Sequence, residues 1–143
     1  MKGEVKLKSV KAVYALIYNK DSNEVLMVYN KDSNGWSMPG GAVEENETLE
    51  EATIREVQEE TGLLVRVGDV VAVNERFFQE KNEHAIFITF NAEIIGGEIS
   101  IERPDEISKI KWVDIHTADK LMPYHKEGIN KLKRNSARYC FQG

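Results

Sequence analysis

Gly41-Ala42-Val43-Glu44-Glu45-Asn46-Glu47-Thr48-Leu49-Glu50-Glu51-Ala52-Thr53-Ile54-Arg55-Glu56-Val57-Gln58-Glu59-Glu60-Thr61-Gly62-Leu63 is the stretch from which the chain is best read. Thr48 followed by Glu51 three residues on is a capping-box arrangement, and Gly62 supplies a C-terminal stop. The spacing therefore predicts a helix over Thr48–Thr61, with Leu49, Ala52, Thr53 and Val57 as its packing face. Glu56, Glu59 and Glu60 fall at i, i+3 and i+4 and share one face. Like charges so placed destabilise a bare helix by a few tenths of a kcal/mol per pair. A cation among the oxygens relieves that repulsion. Mg²⁺ in particular is held by one or two carboxylates, waters and substrate phosphates. The competing reading, a solvated acidic face, is the usual explanation of a glutamate run.

Outward from this helix, β-forming residues dominate. Ser9–Tyr18 and Glu24–Tyr29 read as two strands of a hairpin around the turn residues Asp21, Ser22 and Asn23. Trp36–Met38 is a short extended piece, and Pro39-Gly40-Gly41 a sharp turn. After the helix, Val65–Gln79 reads as one or two strands broken near Gly68-Asp69, and Glu83–Ile95 as another, closed by a turn at Gly96-Gly97. Ile99–Ile101 and Lys109–Ile115 are predicted short strands, with Thr117–Leu121 and Tyr124–Lys133 helical. This order predicts an α/β (α+β) chain, a mixed sheet with a helix on each face.

The whole chain sets limits. Its 143 residues fit one domain with a real core. A formal net charge of −5 argues against general affinity for nucleic-acid polymer or anionic membrane. A small phosphorylated substrate stays open, because a bound metal supplies positive charge locally. One cysteine, Cys140, allows neither an internal disulfide nor a zinc motif. Met1-Lys2-Gly3-Glu4 opens no apolar signal-type run, and no apolar stretch reaches transmembrane length. A cytoplasmic protein, monomeric or homodimeric, is expected.

Gly41 to Leu63 match, at every specified position, the Nudix box, G-x5-E-x7-R-E-U-x-E-E-x-G-U with U aliphatic. The chain thus resembles the Nudix hydrolases, MutT-like members included. Met38-Pro39-Gly40 looks like the family's lead-in, and Trp112-Val113-Asp114 like its later strand. The resemblance implies an α/β/α sandwich and Mg²⁺- or Mn²⁺-dependent hydrolysis of a nucleoside diphosphate linked to another group. It implies Glu56, Glu59 and Glu60 as metal ligands, with the Gly41 carbonyl as a further one. Glu59 and Glu60 then belong to the catalytic set. Arg55 either contacts phosphate or anchors Glu47 by a bidentate pair, and the resemblance favours anchoring. Gly40 allows close approach of backbone to substrate. Gly62 reads as a helix cap, and Val57 and Leu63 as core. The base is a box glutamate or a later one. Glu106, which resembles the family's glutamate six residues before a tryptophan, ranks ahead of Glu102.

Substrate choice lies outside the box. Counting from Leu63, the window where ADP-ribose hydrolases carry proline and diadenosine-polyphosphate hydrolases tyrosine holds Phe77-Phe78-Gln79-Glu80. Size then favours a MutT-like pyrophosphohydrolase acting on a (d)NTP or modified nucleotide, 8-oxo-dGTP among the options. An ADP-ribose or NDP-sugar pyrophosphatase and a non-catalytic nucleotide sensor are the alternatives. Lys31 stands where MutT-like chains often have arginine, and supplies a point charge, not a fork. Phe77, Phe78 and Trp36 are candidates to stack on a base, against a packing role for each. Tyr124 is a candidate for the base pocket. His84, His116 and His125 share no spacing and read as incidental.

Overall fold

The described residues form eight strands, arranged in two sheets. The computed structural model describes residues 6–143; the Met1–Glu4 segment read above for a leader lies outside them. The strands are β1 (Lys8–Leu16), β2 (Tyr18–Asn19), β3 (Glu24–Asn30), β4 (Gly35–Ser37), β5 (Gly40–Ala42), β6 (Leu63–Phe78), β7 (Glu83–Gly97) and β8 (Ile107–Asp114). The helices are α1 (Leu49–Thr61), α2 (Ile115–Leu121) and α3 (Ile129–Leu132).

One sheet has the order β5-β1-β7-β6, with β1 parallel to β7 and antiparallel to β5. In the other, β3 pairs with β8 along one edge and with β2 and β4 along the other, all antiparallel. Successive strand residues face opposite sides, and the cores follow that rule. Leu16, Val25 and Met27 pack with Ile115, Ala118, Met122, Ile129 and Leu132 of α2 and α3. Their neighbours Ala15 and Leu26 pack with Val57 of α1, Leu63 and Val65. Helices thus cover both faces of the strands, as the patterning predicted. Burying each such Leu, Ile, Val or Met fully is worth about 1.5–3 kcal/mol. Among the described residues no helix is long and apolar enough to cross a membrane.

Helix α1 forms as read. Thr48 Oγ1 accepts from Glu51 N at 3.0 Å, Glu51 Oε1 accepts from Thr48 N at 2.9 Å, and Gly62 closes the helix at φ +77°.

Five expectations change. The predicted hairpin shrinks to β2 on β3, because β1 is taken up by β5 and β7 and the chain changes sheets at Ile17. Gly40-Gly41 is a strand on β1, with Gly40 opposite Tyr14 and Gly41 opposite Val13, where a sharp turn was expected. β6 runs unbroken, absorbing Gly68-Asp69 as register shifts against β7. Ile99–Ile101 forms no strand, since Ser100 N donates to Thr61 O at 2.9 Å and the segment caps the end of α1. The last predicted helix is confined to Ile129–Leu132: Gly128 has φ +83°, and Asp119 Oδ1 accepts from Ile129 N at 2.8 Å, starting the helix there.

Candidate active site

Glu56 and Glu60, four residues apart, share one face of α1 and lie over β5, flanking the buried Val57. This brings the acidic face of α1 onto the two glycines. Gly40 N donates to Glu60 Oε1 at 3.0 Å. A Cβ on Gly41 would overlap the Glu56 carboxylate, with its Cδ only 2.7 Å away, and a Cβ on Gly40 would lie 2.6 Å from Tyr14 Cδ1. Neither glycine is needed for a positive φ; both are needed because helix and strand meet so closely.

Arg55 organises the acids. Its Nε and Nη2 donate to the two oxygens of Glu47 at 2.6 and 2.9 Å, and Nη2 also to Ala42 O at 3.0 Å. Nη1 donates to Glu56 Oε1 at 2.7 Å and Glu59 Oε1 at 3.0 Å. Of the two roles open for Arg55, this geometry matches anchoring. A second arginine reaches the same cluster. Arg103 Nη2 lies 2.7 Å from Glu59 Oε1, while its Nη1 donates to Glu106 Oε2 at 2.9 Å.

The electrostatics differ between the acids. Burial pushes the Glu60 carboxyl up to about 8, helped by the charges of Glu56 and Glu106 and opposed by the Gly40 N–H and Arg103. Burial also raises Glu56, with Arg55 opposing. The Arg55 hydrogen bonds hold Glu47 below the usual carboxylate range. Among the described residues no three acidic or histidine side chains converge closely enough to hold a metal ion as they stand. In this arrangement oxygens of Glu56 and Glu59 are taken by the two arginines.

Beside the acids opens a cavity of about 230 Å³ whose walls include Tyr14, Phe78, Phe87, Tyr124, Asn74 and His125. Tyr14 joins cavity and acids. Burial, then the charges of Tyr124, Glu60 and Glu56, push its phenol up to about 12. It therefore keeps its proton, and its hydroxyl is a donor at neutral pH.

The residues singled out from sequence divide as follows. Glu47, Arg55, Glu56, Glu59, Glu60, Gly40, Gly41 and Glu106 meet in one place, and Phe78 and Tyr124 line the cavity. Phe77 does not join them: strand alternation turns it outward, 53% exposed and stacked on His84 at 4.3 Å. Trp36 packs edge-on against Tyr29 at 5.4 Å. Lys31 points to the loop before β8, donating from Nζ to Pro104 O and from its backbone N to Glu106 O at 2.9 Å. It holds that loop and does not reach the acids. His125, read as incidental, lines the cavity, and burial lowers its pKa. Tyr14, Asn74 and Arg103 were missed. Arg103 lies inside the loop read only for its glutamates, and Tyr14 carries no signal short of knowing its register against Gly40.

Comparison with known proteins identifies the family. Residues 8–134 match the model of the NUDIX domain. The chain belongs to the Nudix family. It is 34% identical over 99 residues to an ADP-ribose pyrophosphatase of Methanocaldococcus jannaschii, covering 69% of this chain and 57% of that protein's length. It is 30% identical over 127 residues to a candidate 8-oxo-dGTP diphosphatase of Bacillus subtilis, covering 88% and 81%. Among solved structures, a MutT protein from Methanosarcina mazei Go1 superposes with TM-score 0.72 at 26% identity, covering 92% of this chain and 97% of that one. A NUDIX hydrolase from Nitrosomonas europaea superposes with TM-score 0.79 at 17% identity, covering 95% and 99%, a likeness of fold.

Proposed function

We propose that this chain hydrolyses the pyrophosphate of a nucleoside diphosphate linked to a second group, using Mg²⁺ or Mn²⁺, and that a (d)NTP or modified nucleotide such as 8-oxo-dGTP is its substrate. The observation that carries the reading is a set of half-buried carboxylates lying beside an aromatic cavity, with Tyr14 between them.

The donor set suits a hard cation. Its atoms are carboxylate oxygens; burial raises Glu60 first, and the like charges of Glu56 and Glu106 add to it, a repulsion that a cation relieves. Glu56, Glu59, Glu60 and the Gly41 carbonyl would hold the ion. When bound it neutralises phosphate charge and activates water. The protein's own part is positional. Arg55 fixes Glu47, Glu56 and Glu59 in one arrangement, and the Gly40 N–H orients Glu60. Glu106, half-exposed on the loop before β8, accepts the proton of the attacking water. Water adds to one phosphorus, the bridging P–O bond breaks, and the products are a nucleoside monophosphate and the phosphate of the second group. The cavity takes the base, with Phe78 and Phe87 as faces and Asn74 and His125 as polar edges.

A second reading, ADP-ribose as substrate, is supported by the relative of that name. A nucleotide panel with Mg²⁺ and Mn²⁺ separates the two by product. A nucleoside triphosphate yields pyrophosphate and monophosphate, while ADP-ribose yields AMP and ribose phosphate. Hydrolysis that persists in chelator, or that survives Glu59→Gln unchanged, overturns the proposal.

A further inference from the structure

We infer that Arg103 is an internal counter-ion that holds the metal-free acidic site, and that it moves from Glu59 to a substrate phosphate when a divalent cation binds. The inference rests on the metal-dependent reading above and adds a switching residue to it. Two arginines share Glu59 Oε1, but they are held very differently. Arg55 is fixed from several sides, by both oxygens of Glu47, by the Ala42 carbonyl and by Glu56. It cannot leave without dismantling the loop before α1. The side chain of Arg103 is 44% exposed, and among the described residues its ion-pair partners are Glu59 and Glu106, at 2.7 and 2.9 Å.

The backbone beneath Arg103 is meanwhile held in place. Lys31 N donates to Glu106 O at 2.9 Å, Lys31 Nζ bonds Pro104 O, and Arg103 O accepts from Glu106 N and Ile107 N at 3.0 and 2.8 Å. A pinned backbone with a long, solvent-facing guanidinium lets the side chain swing while its reach stays aimed at the site. Solvent screens a guanidinium this exposed, so a divalent ion on Glu59 readily displaces it. Once released, the planar fork matches the oxygens of a phosphate better than those of a lone remaining carboxylate. The acidic cluster thus passes from neutralisation by arginine to neutralisation by metal, and the arginine passes to the substrate.

The test follows the guanidinium itself by ¹⁵N-edited NMR of arginine side chains, with Arg103→Lys used for assignment and Mn²⁺ binding followed separately by EPR. The metal-free protein should show a restricted Arg103 guanidinium. Saturating Mg²⁺ should convert it to a freely rotating one, and a methylene-bridged, non-hydrolysable nucleotide should restrict it again. Arg103→Gln should bind Mn²⁺ more tightly than the parent, by up to roughly 5-fold, the worth of one exposed ion pair, while KM for nucleotide rises. An Arg103 signal unmoved by Mg²⁺, with Mn²⁺ bound by EPR, overturns this inference and leaves the hydrolase reading intact. Absence of any Mn²⁺ binding overturns both.

Discussion

The Glu60 carboxylate accepts the Gly40 backbone N–H at 3.0 Å, tying the acidic face of α1 to strand β5 through a half-buried side chain. Glutamine at 60 preserves the acceptor oxygen and the volume but not the charge. Because burial already pushes this carboxyl up to about 8, losing the charge costs the fold nothing. Glu60→Gln should therefore melt at the same temperature as the parent or higher, while turnover falls by roughly 100-fold, the scale set by loss of one well-placed electrostatic group. Calorimetry and product release on the same preparation check both halves. Undiminished turnover would remove Glu60 from the proposed chemistry.

The same burial predicts a pH dependence of stability. Between the ordinary glutamate pKa of 4.5 and about 8, the folded protein binds more protons at Glu60 than the unfolded chain does. Stability therefore falls as pH rises through that window. The contribution is complete below the unfolded pKa and lost above the folded one. Glu47 acts in the opposite sense: its lowered pKa gives stability that is present above the ordinary carboxylate range and lost as acid titrates its folded form. In chelator, the melting temperature should decline from about pH 6 to about pH 8.5 by the Glu60 linkage. Added Mg²⁺ should restore more of it at the upper end, where the carboxylate would otherwise be charged and uncompensated. A Mg²⁺ shift equal at both ends would contradict the proposed involvement of Glu60 in holding the ion.

Gly41 tests the closeness of helix and strand. A methyl there overlaps the Glu56 carboxylate, so Gly41→Ala must displace either Glu56 or β5. Overpacking of this kind costs about 1–3 kcal/mol, and the displaced Glu56 should also cost most of the activity. Gly35→Ala is the control, since the nearest atom to its added carbon is Ser33 Oγ at 3.8 Å. A Gly41→Ala protein as stable and active as Gly35→Ala would mean that the packing at β5 is looser than these distances indicate.

Much of the architecture was legible because it is written in local signals. Thr48, Glu51 and Gly62 mark the ends of α1 from within that helix's own sequence, and the box fixes the acids by spacing. What failed depended on partners far away in the chain. Whether Ser9–Tyr18 pairs with Glu24–Tyr29 is decided by the competing claim of β7, whose residues pair with those of β1 75 positions earlier, as Lys8 with Glu83. Gly40-Gly41 has the composition of a turn, and only its contact with α1 explains glycine in a strand. Arg103 escaped notice for the same reason: its bond to Glu59 joins a loop to a helix that no short motif links.

Phe77 and Phe78 are adjacent in sequence and differ only in the face of β6 they occupy, which makes them a paired test of the substrate cavity. Phe78 lies in the cavity wall, 6.3 Å from Phe87 and under the guanidinium of Arg76 at 4.6 Å. Phe77 lies on the outer face against His84. Stacking of a nucleobase on an aromatic side chain contributes about 1–3 kcal/mol. Phe78→Ala should then raise KM for the preferred nucleotide by roughly 10-fold, since each 1.4 kcal/mol is a factor of ten. Its effect on kcat should be smaller, because the base sits away from the reacting phosphorus. Phe77→Ala should leave both constants near the parent values. Equal effects from the two substitutions would point to a general loss of β6 and not to base recognition, and a large effect from Phe77 alone would move the substrate to the opposite face of the sheet.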